Sequence, residues 1–365
     1  MNEWPGHSHP MTYACTSPVM PRKILNIYGL HKQWLTSYSH IHSVMGAFGL
    51  NVSIIDTANL AWKIGFCAKG HAKLDTLMPT YDYERRLHAN RVIEVSGTYL
   101  RFVCRSDLGI LDLRHMGKPL GLETIEPMAP GESRTLLSPD GKNASKSDPK
   151  AREYLLSFFE THGMFLLGLD VAYGTSIINP APSCENGASR ATTVKCGVRA
   201  PNPRVCFDAG HTGYLYDRLT GSSKFHLVVF GSDLLGPVRK NLAIFSRAIT
   251  DPGSFYNRFG GEERFNIVLI AKGAPFEVEE SIVGMELSDL KHRATLLFDD
   301  RPPDEDAHTT YGANHATGAI TIVRPDLWTG ISVSPADLHK IDQYFDGFLL
   351  PVKTAEDQSI LSNGV

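Results

Sequence analysis

The run Phe225-His-Leu-Val-Val-Phe230 decides the fold class, because five of its six side chains are apolar, as in a strand buried on both faces. Similar short runs occur at Val205–Phe207, Phe265–Ile270 and Ala319–Val323. A helical pattern over Val238–Ile249 separates two of these runs. Strands that alternate with helices predict an α/β unit in the second half of the chain.

Helical patterns flank this unit on both sides. After Ser334-Pro335, apolar residues recur at three- and four-residue steps from Leu338 to Phe348. Upstream, the patterns predict helices over Val52–Lys69, from Pro79 to about Cys104, and over 149–169. In the second of these we place Asp82 and Glu84 in the first turn, where the helix dipole favours negative charge. The first half therefore reads as mainly helical.

The helix over Val52–Lys69 is apolar on one side and lined with small residues on the other. Ile55, Trp62 and Phe66 form the apolar side, and Ala58 and Ala61 belong to the small-residue side. We therefore expect both faces of this helix to be buried.

The composition is that of a globular protein, with 42% hydrophobic and 21% charged residues and a net charge of −3. This balance gives no basic footprint for nucleic acid or for an anionic membrane. No apolar run approaches the length of a membrane span, and residues 1–20 lack the apolar core of a signal peptide, so we expect a cytoplasmic protein. The six cysteines, at 15, 67, 104, 184, 196 and 206, form no C-x-x-C pair, and we predict no metal site.

Three stretches lack the pattern of a regular element. Four prolines interrupt residues 1–38, so we expect a poorly ordered leader. Residues 116–150 are rich in Gly, Pro, Ser and Lys and predict a long exposed loop. Residues 179–203 contain four prolines and are interpreted as a linker.

A specific series of motifs starts at residue 40. The stretch His40-Ile-His-Ser-Val-Met-Gly-Ala-Phe-Gly-Leu-Asn51, followed by Asn59-Leu-Ala-Trp-Lys63, resembles the second flavin-contact motif of FAD-dependent aromatic hydroxylases of the fungal phenol 2-monooxygenase type. Thr80-Tyr-Asp-Tyr-Glu-Arg-Arg86 is similar to the helix that follows this motif in the family. Gly197–Val205 and Val323–Asp326 resemble the entry and the last hairpin of its thioredoxin-like C-terminal domain.

The resemblance implies an enzyme that hydroxylates a small phenolic substrate with FAD, NADPH and O2. It implies four regions: the unmatched leader 1–38, the C-terminal part of an FAD-binding hydroxylase domain at 39–180, a thioredoxin-like dimerisation domain at 195–352, and a tail at 353–365. It also implies a homodimer. By the resemblance, backbone amides at the start of the first helix would face the pyrimidine edge of the flavin ring, and the residues are Ala47, Phe48, Gly49, Leu50 and Asn51.

The sequence departs from the family in its first part. No G-x-G-x-x-G turn, which would hold the ADP part of FAD, occurs anywhere in the chain. Thr36-Ser-Tyr38 stands where the family has Gly-Asp-Ala, and no catalytic residue of the family has a counterpart here. The thioredoxin-like half also lacks the C-x-x-C pair of thiol redox chemistry. We therefore expect a truncated hydroxylase, and the alternative is a catalytically inactive fragment that acts only as a dimerisation or interaction module.

Overall fold

The computed structural model describes residues 49–104, 156–157, 160, 162–181, 190–221 and 223–352, all within one unit spanning 38–365. The predicted leader, the predicted loop 116–150, the tail 353–365, Ala47 and Phe48 lie outside these ranges. Of the predicted helix over 149–169, the described residues 156–157, 160 and 162–166 are helical, whereas 167–169 form a turn, so the helix ends before the predicted position. Within the described ranges, no helix combines the length and the apolar character needed to cross a bilayer.

Two long helices begin the described part of the chain. Helix α1 (Gly49–Ala68) and helix α3 (Pro79–Cys104) are joined through the short α2 (Leu74–Leu77), and both long helices were predicted. The expectation that both faces of α1 are buried is wrong. Ala58 and Ala61 are exposed, because α1 packs through one face, which carries both apolar and polar side chains.

Seven strands form one sheet in the order β2-β1-β5-β4-β3-β6-β7. The three strands β3, β4 and β5 run parallel to one another, and the other pairs are antiparallel. The strands are β1 (Arg204–Asp208), β2 (His211–Tyr214), β3 (Phe225–Ser232), β4 (Phe265–Lys272), β5 (Ala294–Asp299), β6 (Ala319–Val323) and β7 (Thr329–Val333). The four predicted strands are confirmed as β1, β3, β4 and β6, and the mixed α/β class is confirmed with them.

Six helices connect or follow these strands: α4 (Val238–Ala248), α5 (Phe255–Arg258), α6 (Pro275–Ser281), α7 (Ser288–Arg293), α8 (Ala307–Tyr311) and α9 (Leu338–Phe348). Helices α4 and α9 were predicted. The four short helices were not, because each has too few residues to show a helical period.

Both faces of the sheet are covered. All eight residues of β3 are buried, and alternate side chains point to opposite faces, so that Leu227 and Val229 join one apolar cluster while Val228 and Phe230 join another. Helices α1, α4 and α9 contribute to the first cluster and α8 to the second. Helix α1, from the first half of the chain, thus packs in the apolar layer that covers one face of the sheet.

The interpretation of residues 179–203 as a linker is wrong for the part that the structure describes. Gly197 N donates to Thr329 O at 2.8 Å, and Thr329 N donates to Val198 O at 2.8 Å. Gly197 has a φ of +76°, and a Cβ there would lie 2.5 Å from Tyr173 O. The segment is therefore pinned against the start of β7, although its prolines and glycines are typical of a linker.

Candidate functional site

The predicted flavin-edge residues lie at the N-terminal end of α1. Gly49, Leu50 and Asn51 form its first turn, which holds no acidic side chain, and Leu50 is 71% exposed. The first four N–H groups of a helix have no acceptor within it, and the helix dipole adds partial positive charge at this end. The turn therefore offers amide donors to an electron-rich group. Contact of these residues with a flavin stays a prediction.

A buried ion pair joins α3 to the loop between β6 and β7. Arg324, directly after β6, donates from Nη1 to Glu84 Oε1 at 2.6 Å and from Nη2 to Oε2 at 3.1 Å. Both side chains are fully buried. Each carboxylate oxygen thus has its own donor, which is the geometry that arginine forms best with a carboxylate. The pair ties the first helical part of the chain to the sheet.

Four charged side chains form what we name the buried charge cluster: Lys63, Glu84, Arg324 and Asp326. Asp326 accepts from Arg324 Nε at 3.0 Å and from Trp62 Nε1 at 3.0 Å. Lys63 Nζ donates to Glu84 Oε2 at 2.9 Å. Two cations and two anions therefore balance one another, which a group of desolvated charges requires.

Two amide side chains bridge the charges of this cluster. Asn59 donates to Glu84 Oε2 at 2.7 Å and accepts from Lys63 Nζ at 2.8 Å. Asn179 donates to Glu84 Oε1 at 2.7 Å and accepts from Arg324 Nη1 at 2.9 Å. Each amide thus links a cation to the same carboxylate, and Glu84 becomes the centre of the cluster.

The surroundings of Glu84, Arg324 and Lys63 shift their pKa values, and all three side chains remain charged at neutral pH. Burial alone would raise the pKa of Glu84, but Arg324 and Lys63 hold it well below its usual range. Burial alone would lower the pKa of Arg324, but Asp326 and Glu84 raise it above its usual value. For Lys63, burial outweighs the attraction of Glu84 and lowers the pKa from 10.5 to about 8.

This lowered pKa predicts a pH dependence of stability. Between pH 8 and pH 10.5 the unfolded chain keeps the Lys63 proton that the folded chain loses, so the free energy of unfolding should rise with pH across this window. The rise should reach at most about 3 kcal/mol and should be missing in Lys63→Met. Urea unfolding at pH 7 and pH 10 measures this rise in the free energy of unfolding. Lys69→Met is the control, because Lys69 is exposed and directly follows α1. Parallel pH profiles for the native chain and Lys63→Met would contradict the prediction.

A second row of contacts runs beside the cluster. Arg85 of α3 pairs with Asp56 of α1 and donates from Nη1 to Tyr173 Oη at 2.8 Å. The ring of Tyr173 stacks on that of Trp328, with centroids 5.3 Å apart, and Trp328 Nε1 donates to Val171 O at 3.0 Å. Together with the cluster, the Arg85–Asp56 pair therefore anchors α1 from Asp56 to Lys63.

The turn after β3 contains no cysteine. Leu235-Gly236-Pro237-Val238 leads into α4, with Leu235 exposed and Val238 buried. A redox pair would need two cysteines there. Burial raises the pKa values of the Cys67 and Cys196 thiols to about 11, so both are protonated at neutral pH.

The sequence patterns missed the buried charge cluster. The helix-dipole interpretation of Glu84 is wrong, because only Asp82 lies in the first turn of α3, whereas Glu84 lies deeper and pairs with Arg324. One signal was available: Asn59 and Lys63 lie four residues apart on the same face of α1 as Trp62 and Phe66. Polar residues on an apolar helix face predict a buried partner.

The residues at the start of α1 fit one part of an FAD molecule. The first turn of α1, which is exposed at Leu50 and free of carboxylates, suits the electron-rich pyrimidine edge of a flavin ring. The ADP part of FAD is usually held by a G-x-G-x-x-G turn, which the sequence does not contain. The fit therefore covers the edge of the ring and not the dinucleotide part.

Two family models match the chain in the predicted order. Residues 171–353 match the model described as phenol hydroxylase, C-terminal dimerisation domain. Residues 39–96 match the model described as FAD binding domain, and this range contains all five predicted flavin-edge residues.

Known proteins match over most of the chain. An FAD-dependent monooxygenase of Aspergillus terreus is 46% identical over 308 residues, which cover 84% of this chain and 41% of that protein. The 3-hydroxybenzoate 4-monooxygenase of Comamonas testosteroni is 22% identical, with 85% and 45% covered. The rebeccamycin biosynthetic enzyme RebC with reduced flavin superimposes with a TM-score of 0.43 at 20% identity, with 84% and 43% covered. The chain thus spans less than half the length of each.

The predicted resemblance is confirmed. The C-terminal family model covers half of the chain, and the FAD-binding model precedes it. FAD is the cofactor of this family, and monooxygenation is its activity. The chain belongs to the phenol hydroxylase-type family of FAD-dependent aromatic monooxygenases.

Proposed function

We propose that the protein serves in the hydroxylation of a small phenolic substrate with NADPH and O2. FAD, when bound, supplies the redox and oxygen chemistry, and the protein supplies orientation and electrostatics. The carboxylate-free first turn of α1, a helix that the buried charge cluster anchors at Trp62 and Lys63, is the observation that carries this proposal. Amides of Ala47 to Asn51 would donate to the pyrimidine edge of the ring and stabilise negative charge there when the flavin is reduced.

We assign residues 39–180 to the C-terminal part of an FAD-binding hydroxylase domain and 195–352 to a thioredoxin-like domain that forms a homodimer. The strand order supports the second assignment. A thioredoxin-like unit has two parallel strands joined by a helix, then an antiparallel hairpin and a last helix. Strands β3 and β4 with α4, the β6–β7 hairpin and α9 follow this order.

The isolated chain is expected to bind FAD weakly, and to bind FMN about as well as FAD. Each charge-assisted hydrogen bond to the pyrophosphate contributes roughly 1.5–3 kcal/mol, so the lack of several weakens binding by orders of magnitude at about 1.4 kcal/mol per tenfold. A visible spectrum of the dialysed protein first shows whether flavin is already bound. Quenching of flavin fluorescence then measures the affinities for FAD and for FMN. Asn51→Asp, which adds a negative charge to the first turn of α1, should weaken both flavins, whereas Thr57→Asp, farther along α1, should not.

The outcomes separate the proposed function from its alternative. Stoichiometric FAD after dialysis, with NADPH oxidation stimulated by a phenol, would assign the whole enzymatic activity to this chain. Failure of both flavins to bind, with no effect of Asn51→Asp, would contradict the flavin edge. The alternative, a chain that acts only as a dimerisation or interaction module, would then stand.

A further inference from the structure

An apolar surface lies beyond the C-terminal ends of the central strands β3 and β4. Four side chains that are between 66% and 93% exposed form what we name the apolar patch: Leu235, Phe276, Val283 and Met285. Leu235 follows β3, and the other three follow β4 in α6 and in the loop after it. Because β3 and β4 are parallel neighbours, the segments that follow them leave the sheet at the same end of the strands.

Arg239 of α4 fixes the backbone that carries the patch. Its guanidinium donates to the carbonyl oxygens of Leu234 at 3.2 Å, Ser281 at 2.6 Å and Val283 at 2.8 Å. Gly284, with a φ of +146°, passes so close that a Cβ would lie 2.6 Å from Arg239 Nη2. One side chain thus holds the turn after β3 against the loop after α6, so the patch has a defined shape.

The segment that carries the patch also places apolar side chains inside the protein. Its inward-facing side chains are fully or almost fully buried, and they are Val278, Ile282 and Leu287. This segment therefore does contribute to the core, and its patch residues point outward although buried positions lie beside them. Several exposed apolar side chains carried on neighbouring segments and bordered by charges are typical of a protein–protein contact.

Charges of both signs border the patch. Helix α6 exposes Glu277, Glu279 and Glu280, whereas α4 exposes Lys240 next to Arg239. In a twofold arrangement the same surface contacts itself, so α6 of one copy can face α4 of the other. Arg239 is paired with Glu286 of its own chain, so Lys240 is the α4 cation that can face the α6 carboxylates of the other copy, an opposite-charge contact that favours a second copy as the partner.

We infer that the apolar patch is the contact surface between two copies of this chain. The inference rests on the proposed homodimer and adds the surface and its central residues. All four patch residues lie inside residues 171–353, which match the dimerisation-domain model. Burying large apolar side chains at the centre of an interface supplies most of its affinity, so a charge placed there should separate the copies.

Sedimentation equilibrium of the full chain tests this inference. The native chain should be a dimer, and Leu235→Glu and Met285→Glu should each raise the dimer dissociation constant about 10–100-fold. Tyr214→Glu is the control, because Tyr214 is an exposed aromatic residue on the edge strand β2, which three strands separate from β3. Its dissociation constant should stay that of the native chain, and far-UV circular dichroism should show that all variants are folded.

Three results can be told apart. Monomeric patch variants beside a dimeric native chain and control would support the apolar patch as the interface. A dimeric native chain whose patch variants stay dimeric, or whose Tyr214→Glu variant dissociates, would overturn the patch and leave the homodimer standing. A monomeric native chain would overturn the homodimer, and the inferred surface with it.

Discussion

Arg324→Met is expected to lower the free energy of unfolding by about 3–5 kcal/mol, because it leaves two buried carboxylates without their guanidinium. Glu84 loses two hydrogen bonds from Arg324, and Asp326 loses another two. Methionine is a long, unbranched side chain that fills much of the same space, so the loss reports the charge more than a cavity. Urea unfolding at pH 7, followed by circular dichroism, measures the change.

Arg258→Met is the matched control for this substitution. Arg258 also contacts two carboxylates, donating from Nη2 to Asp342 at 2.8 Å and to Asp346 at 2.9 Å, but its side chain is 35% exposed. Water replaces a lost partner at such a site, so the expected loss is at most about 1 kcal/mol. Equal losses in the two variants would contradict the importance of burial, and with it the role given to the buried charge cluster.

Phe225→Ala is expected to remove about 3–5 kcal/mol of stability through the cavity that it leaves. Phe225 is fully buried at the start of β3. Its ring centroid lies 5.5 Å from those of Trp62 and Phe66 in α1 and 5.1 Å from that of Phe345 in α9. The substitution therefore loosens the contact of α1 with the sheet as well as the core itself.

Thermal and urea unfolding measure this loss, with Leu167→Ala as control. Leu167 is more than half exposed, and its truncation should change stability by no more than about 0.5 kcal/mol. A small effect of Phe225→Ala, close to that of the control, would mean that α1 does not share a core with β3.

Elements with a strong local pattern could be predicted from the sequence. Helix α9 repeats apolar residues at three- and four-residue steps and lies at Leu338–Phe348, as predicted. The predicted start of α3 at Pro79 is also correct, because proline is well suited to a first helical turn. Strands β3 and β4 are apolar throughout, since both faces of the sheet are covered.

Elements that depend on distant partners could not be predicted. Strand β7 contains Gly330, which lowers its strand propensity, yet a Cβ there would lie 2.2 Å from Tyr344 Oη in α9. Strand β2 is mostly exposed and exists through its pairing with β1. In both strands tertiary contacts decide the structure, and a local pattern carries no record of them.

The candidate site was predicted only in part for the same reason. The first turn of α1 is a local motif, and the resemblance located it. The pairing of Glu84 with Arg324 joins residues 240 positions apart, and no spacing rule connects them. The resemblance picked out both surrounding segments, but it assigned no contact between them.

The long sequence separation between Glu84 and Arg324 determines when the buried charge cluster can form during synthesis of the chain. Glu84 leaves the ribosome 240 residues before Arg324, which at about 5–20 residues per second is an interval of roughly 10–50 s. Throughout this interval the carboxylate has no guanidinium partner, so its burial would be strongly unfavourable and it must stay hydrated. Helices α1 and α3 therefore cannot complete their packing around Glu84 before Arg324 has been made.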